Sequence, residues 1–126
     1  MPLVQVSLRQ GKSAEYKQAI GDAVYNAMLE TFDVPKEDRF VVISEHAASE
    51  FQFSRNYLDI ARSDDLVIIQ ITANNTRNVE QKKALFARIA ELLSQDPGLR
   101  TEDVFINLVE VAKENWSFGN GIAQYA

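Results

Sequence analysis

Residues 3–20, LVQVSLRQGKSAEYKQAI, and residues 68–85, IIQITANNTRNVEQKKAL, align without a gap when the chain is shifted by 65 positions. Gln5 meets Gln70, Glu15 meets Glu80, Lys17 meets Lys82 and Ala19 meets Ala84. The same shift sets KEDRFVVISE, residues 36–45, on TEDVFINLVE, residues 101–110. It pairs Glu37 with Glu102, Asp38 with Asp103, Phe40 with Phe105 and Glu45 with Glu110. Identities that keep one register this far mark an internal repeat, and the fold is that of one unit used twice.

Each unit reads strand, helix, strand. Val4, Val6 and Leu8 alternate with Gln5 and Ser7, the period-two pattern of a half-buried strand. Residues 66–73 are the counterpart, more continuously apolar and so expected to lie more centrally. Ser13 and Asn78 are candidate helix N-caps. Ile20, Val24, Ala27 and Met28 recur at helical spacing, as do Leu85, Ile89, Leu92 and Leu93, so each helix has one core-facing stripe. Strands near 39–46 and 104–111 close the units after turns containing Pro35 and Pro97-Gly98.

A strand–helix–strand unit has parallel strands and a right-handed crossover. The expectation is therefore an α/β (α+β) fold with a four-stranded sheet and both helices on one face. The 126 residues suit one domain, with units at about 2–46 and 67–111, a connector at 47–65 and a tail at 112–126. Connector and tail carry aromatic residues outside the repeat. They either fold over their own sheet or reach to a neighbouring chain, and the sheet face away from the helices meets solvent or another subunit.

Composition removes much familiar chemistry. Without cysteine there are no disulfides, thiol nucleophiles or thiolate metal sites. With His46 as the single histidine, a multi-histidine metal site within one chain is excluded, and no metal or other cofactor is expected. A net charge of −5 argues against nucleic acid as partner. No apolar run is long enough to span a membrane and no secretory pattern opens the chain, so a cytoplasmic location is the expectation.

The repeat is most informative where its halves differ. Pro2 falls opposite Val67, and Lys12 opposite Arg77. Removal of Met1 would leave Pro2 with a free secondary amine. Burial and a nearby guanidinium both disfavour the ammonium form and bring such an amine toward neutrality. A base in that range suits proton transfer at a carbon beside a carbonyl. Arg77 could supply that charge and a bidentate grip on a substrate carboxylate. Each residue also has a plainer reading. Proline is tolerated at the first position of a strand, an arginine near a helix start is commonly solvated, and Asp38 and Asp103 suit turns. His46 reads as a packing or surface residue, and Trp116 and Phe118 as core or interface aromatics.

Taken together, proline behind the initiator methionine, two tandem units, TRNVEQKKALFARIAELL (residues 76–93) and NWSFGNG (115–121) resemble the tautomerase superfamily. VPKEDRF (34–40), VEQK (79–82) and WSFG (116–119) resemble its malonate semialdehyde decarboxylase-like group. The resemblance implies a homotrimer and Pro2 as catalytic residue, a general base in the simple tautomerases and a protonated acid in the decarboxylase and related dehalogenases. It implies Asp38 as an assisting carboxylate and Arg77 as the second of two arginines that hold a substrate carboxylate. Asn75 stands where the first arginine falls, so one cationic clamp is absent; Arg39 or Arg62 could replace it. Trp116 and Phe118 are expected to wall the cavity. The expected activity is cofactor-independent enol–keto tautomerisation of a small 2-oxo acid of the phenylpyruvate type. The alternatives are a decarboxylase or hydratase-like lyase on a three-carbon acid, and a non-catalytic trimeric protein that binds a small carboxylate.

Overall fold

The structure is a computed structural model that describes residues 2–126. Strand β1 (Leu3–Arg9) leads into helix α1 (Ala14–Phe32) and strand β2 (Val41–His46). Strand β3 (Val67–Asn74), helix α2 (Val79–Gln95) and strand β4 (Val104–Val111) repeat that order. The sheet runs β2-β1-β3-β4, with β1 parallel to β2, β3 parallel to β4, and the two units joined by antiparallel pairing of β1 with β3. Gln5 faces Gln70 across that pairing, so equivalent residues meet at the join and an internal twofold axis passes between them.

Local chemistry sets the helix ends. The Ser13 hydroxyl accepts the Tyr16 amide at 3.1 Å. Asn78 and Gln81 close a reciprocal capping box at 2.9 and 3.0 Å. Helix α1 stops at Asp33, whose φ of 51° is left-handed, ahead of Val34-Pro35. Ile20, Val24, Ala27 and Met28 of α1 and Leu85, Ile89 and Leu93 of α2 are buried in one core with Val4, Val6 and Leu8 of β1 and Val67, Ile69 and Ile71 of β3. Burying a large aliphatic side chain stabilises the fold by about 1.5–3 kcal/mol.

One expectation is refined. β1 is as central as β3, although β3 is the more apolar in sequence. Both have a fully apolar helix-side face. On the open face β1 presents Leu3, Gln5, Ser7 and Arg9 and β3 presents Ile68, Gln70 and Thr72. The more continuous apolar run of β3 comes from its helix side, where Val67 and Ala73 are buried beside Ile69 and Ile71, and not from a more central place in the sheet. No helix among the described residues is long and apolar enough to cross a membrane.

Connector and tail prove equivalent. The 3₁₀ turn Ala48–Glu50 and the 3₁₀ turn Lys113–Asn115 are related by the same shift of 65, which sets Phe51 on Trp116 and Phe53 on Phe118. Each segment lays its aromatics at one end of the sheet, the connector beside β3 and the tail beside β1.

Candidate active site

At the end of the sheet where β1 and β2 begin, Pro2, Leu3, Phe40, Trp116, Ser117 and Phe118 line a cavity of about 200 Å³. Pro2 is buried there. The Val4 amide donates to the Phe40 carbonyl at 2.9 Å and so ties the start of β1 to the 35–40 turn. Met1, whose removal would expose the Pro2 amine, lies outside the described residues.

Asp38 sits in that turn, its amide donating to the Pro35 carbonyl at 3.0 Å, and is only 4 % exposed. Burial pushes its carboxyl above the ordinary value, and the positive charge of Arg77 pulls the other way. Arg77 itself bridges two elements. Its Nη2 donates to the Phe32 carbonyl at 2.6 Å, its guanidinium lies 4.8 Å over the Phe32 ring, and Nη1 donates to the Thr76 hydroxyl at 3.3 Å. A cation at the C-terminal end of α1 is favoured by that helix's dipole. This placement explains a charge that looks misplaced when Arg77 is considered only as a neighbour of the α2 N-terminus.

The tail closes the cavity. Trp116 and Phe118 stack with centroids 5.4 Å apart, and Tyr125 packs edge-on against Phe118 at 5.3 Å. The Trp116 Nε1–H donates to Asn74 Oδ1 at 2.7 Å, and Asn74 is 7 % exposed. A buried indole N–H needs such a partner. Neither Asn74 nor the cavity-lining Phe40 stands out in the sequence. Phe40 carries the weak signal of pairing with Phe105 in the repeat, whereas the partner of Trp116 lies 42 positions away, beyond any local pattern.

The other sequence candidates lie elsewhere. Asn75 is exposed and its backbone amide donates to the Val111 carbonyl at 3.0 Å. Arg39 turns toward the helices, where Nη2 meets Asp22 at 2.6 Å and the guanidinium lies 4.8 Å over the Tyr25 ring. Gly21 lies beside it, where a Cβ would sit 3.4 Å from the Arg39 guanidinium. Arg39 lines a wider surface groove of about 500 Å³ between α1 and β2, which contains neither Pro2 nor Asp38. Arg62 belongs to the connector, at the far end of the sheet. The structure thus gathers Pro2, Asp38, Arg77, Trp116 and Phe118 at one end of the sheet, and leaves Arg39 outside the Pro2 cavity.

A proline nitrogen at the chain start, a buried carboxyl, a guanidinium and stacked aromatic walls are groups that could together hold a small organic acid, and the proline could move a proton on it once Met1 is removed. Comparison with known proteins bears on the class. Two family models described as tautomerase enzymes match residues 38–119 and 2–59. The chain is 43% identical over 124 residues to the probable tautomerase YusQ of Bacillus subtilis (strain 168), covering 98% of each. The crystal structure of FG41 malonate semialdehyde decarboxylase inhibited by 3-bromopropiolate superposes with a TM-score of 0.91 at 37% identity, over 98% of this chain and 93% of that one. A second malonate semialdehyde decarboxylase, studied for decarboxylase and hydratase activities, superposes with a TM-score of 0.92 at 30% identity, over 98% and 95%. The chain belongs to the tautomerase superfamily, a family of enzymes, within its malonate semialdehyde decarboxylase-like group.

Proposed function

We propose that the protein is a cofactor-independent enol–keto tautomerase acting on a small 2-oxo acid of the phenylpyruvate type. The observation that carries this reading is the shared cavity, in which Pro2 faces the stacked Trp116 and Phe118. With Met1 removed, the Pro2 amine takes the enol proton and returns it to carbon. Arg77 attracts the carboxylate and stabilises charge that develops on the enolate oxygen. Asp38, whose carboxyl burial raises, assists proton movement beside the amine. The aromatic walls exclude water and favour a flat apolar substituent.

A second reading is supported by the likeness to two malonate semialdehyde decarboxylases and by the buried Asp38. In it, Pro2 remains protonated, Asp38 handles water, and the substrate is a three-carbon acid. The exposed and uncharged Asn75 weighs against it, since one carboxylate clamp is then weaker. Two assays side by side separate these readings. Ketonisation of phenylenolpyruvate, followed by ultraviolet absorbance, is expected to outpace carbon dioxide release from malonate semialdehyde. Release of carbon dioxide without ketonisation would sink the tautomerase reading, and silence in both would leave a binding protein.

The same proposal includes a homotrimer located in the cytoplasm. Phe40 at 50 % and Val42 at 53 % exposure are apolar residues at the β2 edge that a single chain leaves uncovered. A solution mass of three chains is the expected result.

Asn74 enters this reading through Trp116. Replacing it with leucine keeps the branching at Cγ, in a somewhat larger side chain, but removes the oxygen that holds the indole. The expected outcome is about a tenfold rise in KM, the cost of one buried hydrogen bond, with kcat changed much less. Trp116 is the only tryptophan, so its emission should shift to the red in the same variant. Unchanged KM and emission would show that the tail is held by other contacts.

A further inference from the structure

We propose that the chain carries a second, non-catalytic binding site for a small carboxylate with an apolar or aromatic body, at the end of the sheet opposite Pro2. This site stands whether or not Pro2 is a catalyst, because it rests on a separate cavity. A cleft of about 270 Å³ opens there, with Phe53, Tyr57, Leu66, Ile68 and Phe105 as its apolar walls.

The walls repeat those of the Pro2 cavity position by position. Under the shift of 65, Ile68 is the counterpart of Leu3, Phe105 of Phe40, Gln52 of Ser117 and Phe53 of Phe118. Four of the five residues that line the cavity with Pro2 therefore have an equivalent lining the second cleft. What differs is the chemistry between the walls. Val67 replaces Pro2, and its nitrogen is an amide inside β3. Asp103 replaces Asp38, and its carboxylate accepts the Ser63 amide at 2.7 Å and the Ser63 hydroxyl at 2.6 Å with 0 % exposure. The shape of a binding site is kept while its amine is gone and its carboxylate is engaged.

Positive charge supplies the choice of ligand. Arg62 lines the cleft, and its Nη1 donates to the carbonyls of Tyr57 at 3.0 Å and of Ser54 and Ile60 at 3.3 Å. Those bonds fix the guanidinium in place before any ligand arrives, which lowers the ordering cost of binding. Two further guanidiniums lie over the Phe53 wall, Arg55 at 4.7 Å and Arg9 at 5.9 Å from the ring centroid. Both pair with the single carboxylate of Asp64, and Arg9 Nε is buried without a hydrogen-bond partner among the described residues. Three cations around one aromatic wall, with one acid between two of them, suit an anion whose apolar body lies against Phe53 and Phe105.

The unreactive acid 3-phenylpropionate is the probe, titrated into the intact protein by calorimetry and, in parallel, by Trp116 fluorescence. Trp116 lines the Pro2 cavity and not the second cleft, so it separates the two sites. The expected result is two binding events per chain, one of which leaves Trp116 emission unchanged. Arg62→Gln should weaken that silent event about tenfold, as expected for loss of a charge-assisted hydrogen bond, and leave ketonisation unaltered. Phe105→Gln, at a half-exposed wall, gives an independent check should Arg62→Gln loosen the connector. A single event tracked fully by Trp116, or a silent event indifferent to both substitutions, would overturn the proposal.

Discussion

Alanine at position 2 is expected to slow ketonisation of phenylenolpyruvate by about 10²-fold or more, the contribution of a positioned general base, with no comparable loss of stability. Pro2 precedes β1 and donates no ladder hydrogen bond, so alanine removes the ring and leaves a less basic primary amine, at little cost in packing. Intact mass must show Met1 absent from wild type and variant alike, because an alanine amine would retain part of the activity. A form that keeps Met1 is the sharper control. Its Pro2 nitrogen is a tertiary amide with no lone pair available for a proton, and it should be silent while its fold is unchanged. If Pro2→Ala ketonises at the wild-type rate, the base lies elsewhere and Asp38 becomes the next candidate.

The second large effect is on stability, at Asp103→Ala. The carboxylate takes both the amide and the hydroxyl of Ser63 in a fully buried position. Truncation leaves two part-buried donors of Ser63 without their acceptor and should cost about 2 kcal/mol in urea unfolding. Asp103→Asn, which retains one acceptor oxygen, should cost about half as much. Its repeat counterpart should behave in the opposite way. Burial raises the Asp38 carboxyl above 3.8, so the folded chain binds that proton more readily than the unfolded chain. The charge then works against folding at neutral pH, and the penalty disappears as pH falls through the raised value and below the unfolded one. Asp38→Asn should accordingly stabilise the fold near neutrality while impairing turnover, with the stability gain vanishing in acid. An Asp38→Asn variant less stable than wild type at neutral pH would show that the carboxylate form is the one the fold favours.

Local pattern made the elements legible. Ser13 and Asn78 declare their helices through side chains that can reach a backbone amide three residues on, and the stripes Ile20–Val24–Ala27 and Leu85–Ile89–Leu93 follow from helical period alone. Site geometry was less accessible because its contacts are long-range. Arg77 reaches the Phe32 carbonyl 45 positions away, and nothing near it in sequence foretells that bond. Arg39 was open to a firmer reading. Val41 and Ile43 face the helices, so strand alternation directs residue 39 to the same side, away from Phe40 and the cavity. The connector and tail looked separate because their pairing rests on Phe51 with Trp116 and Phe53 with Phe118, a match of aromatic character and spacing more than of identity.

The antiparallel join at Gln5 and Gln70 places two like halves in one polypeptide, and a polypeptide has one beginning. Any chemistry that depends on a terminal amine is therefore counted by chains and not by repeats. Val67 could be mutated to proline without restoring reactivity, since residue 66 would still hold its nitrogen in an amide. Only scission of the backbone ahead of position 67 would release a second amine. Covalent fusion alone is enough to retire one half of the molecule from catalysis, and it leaves that half free to acquire another use.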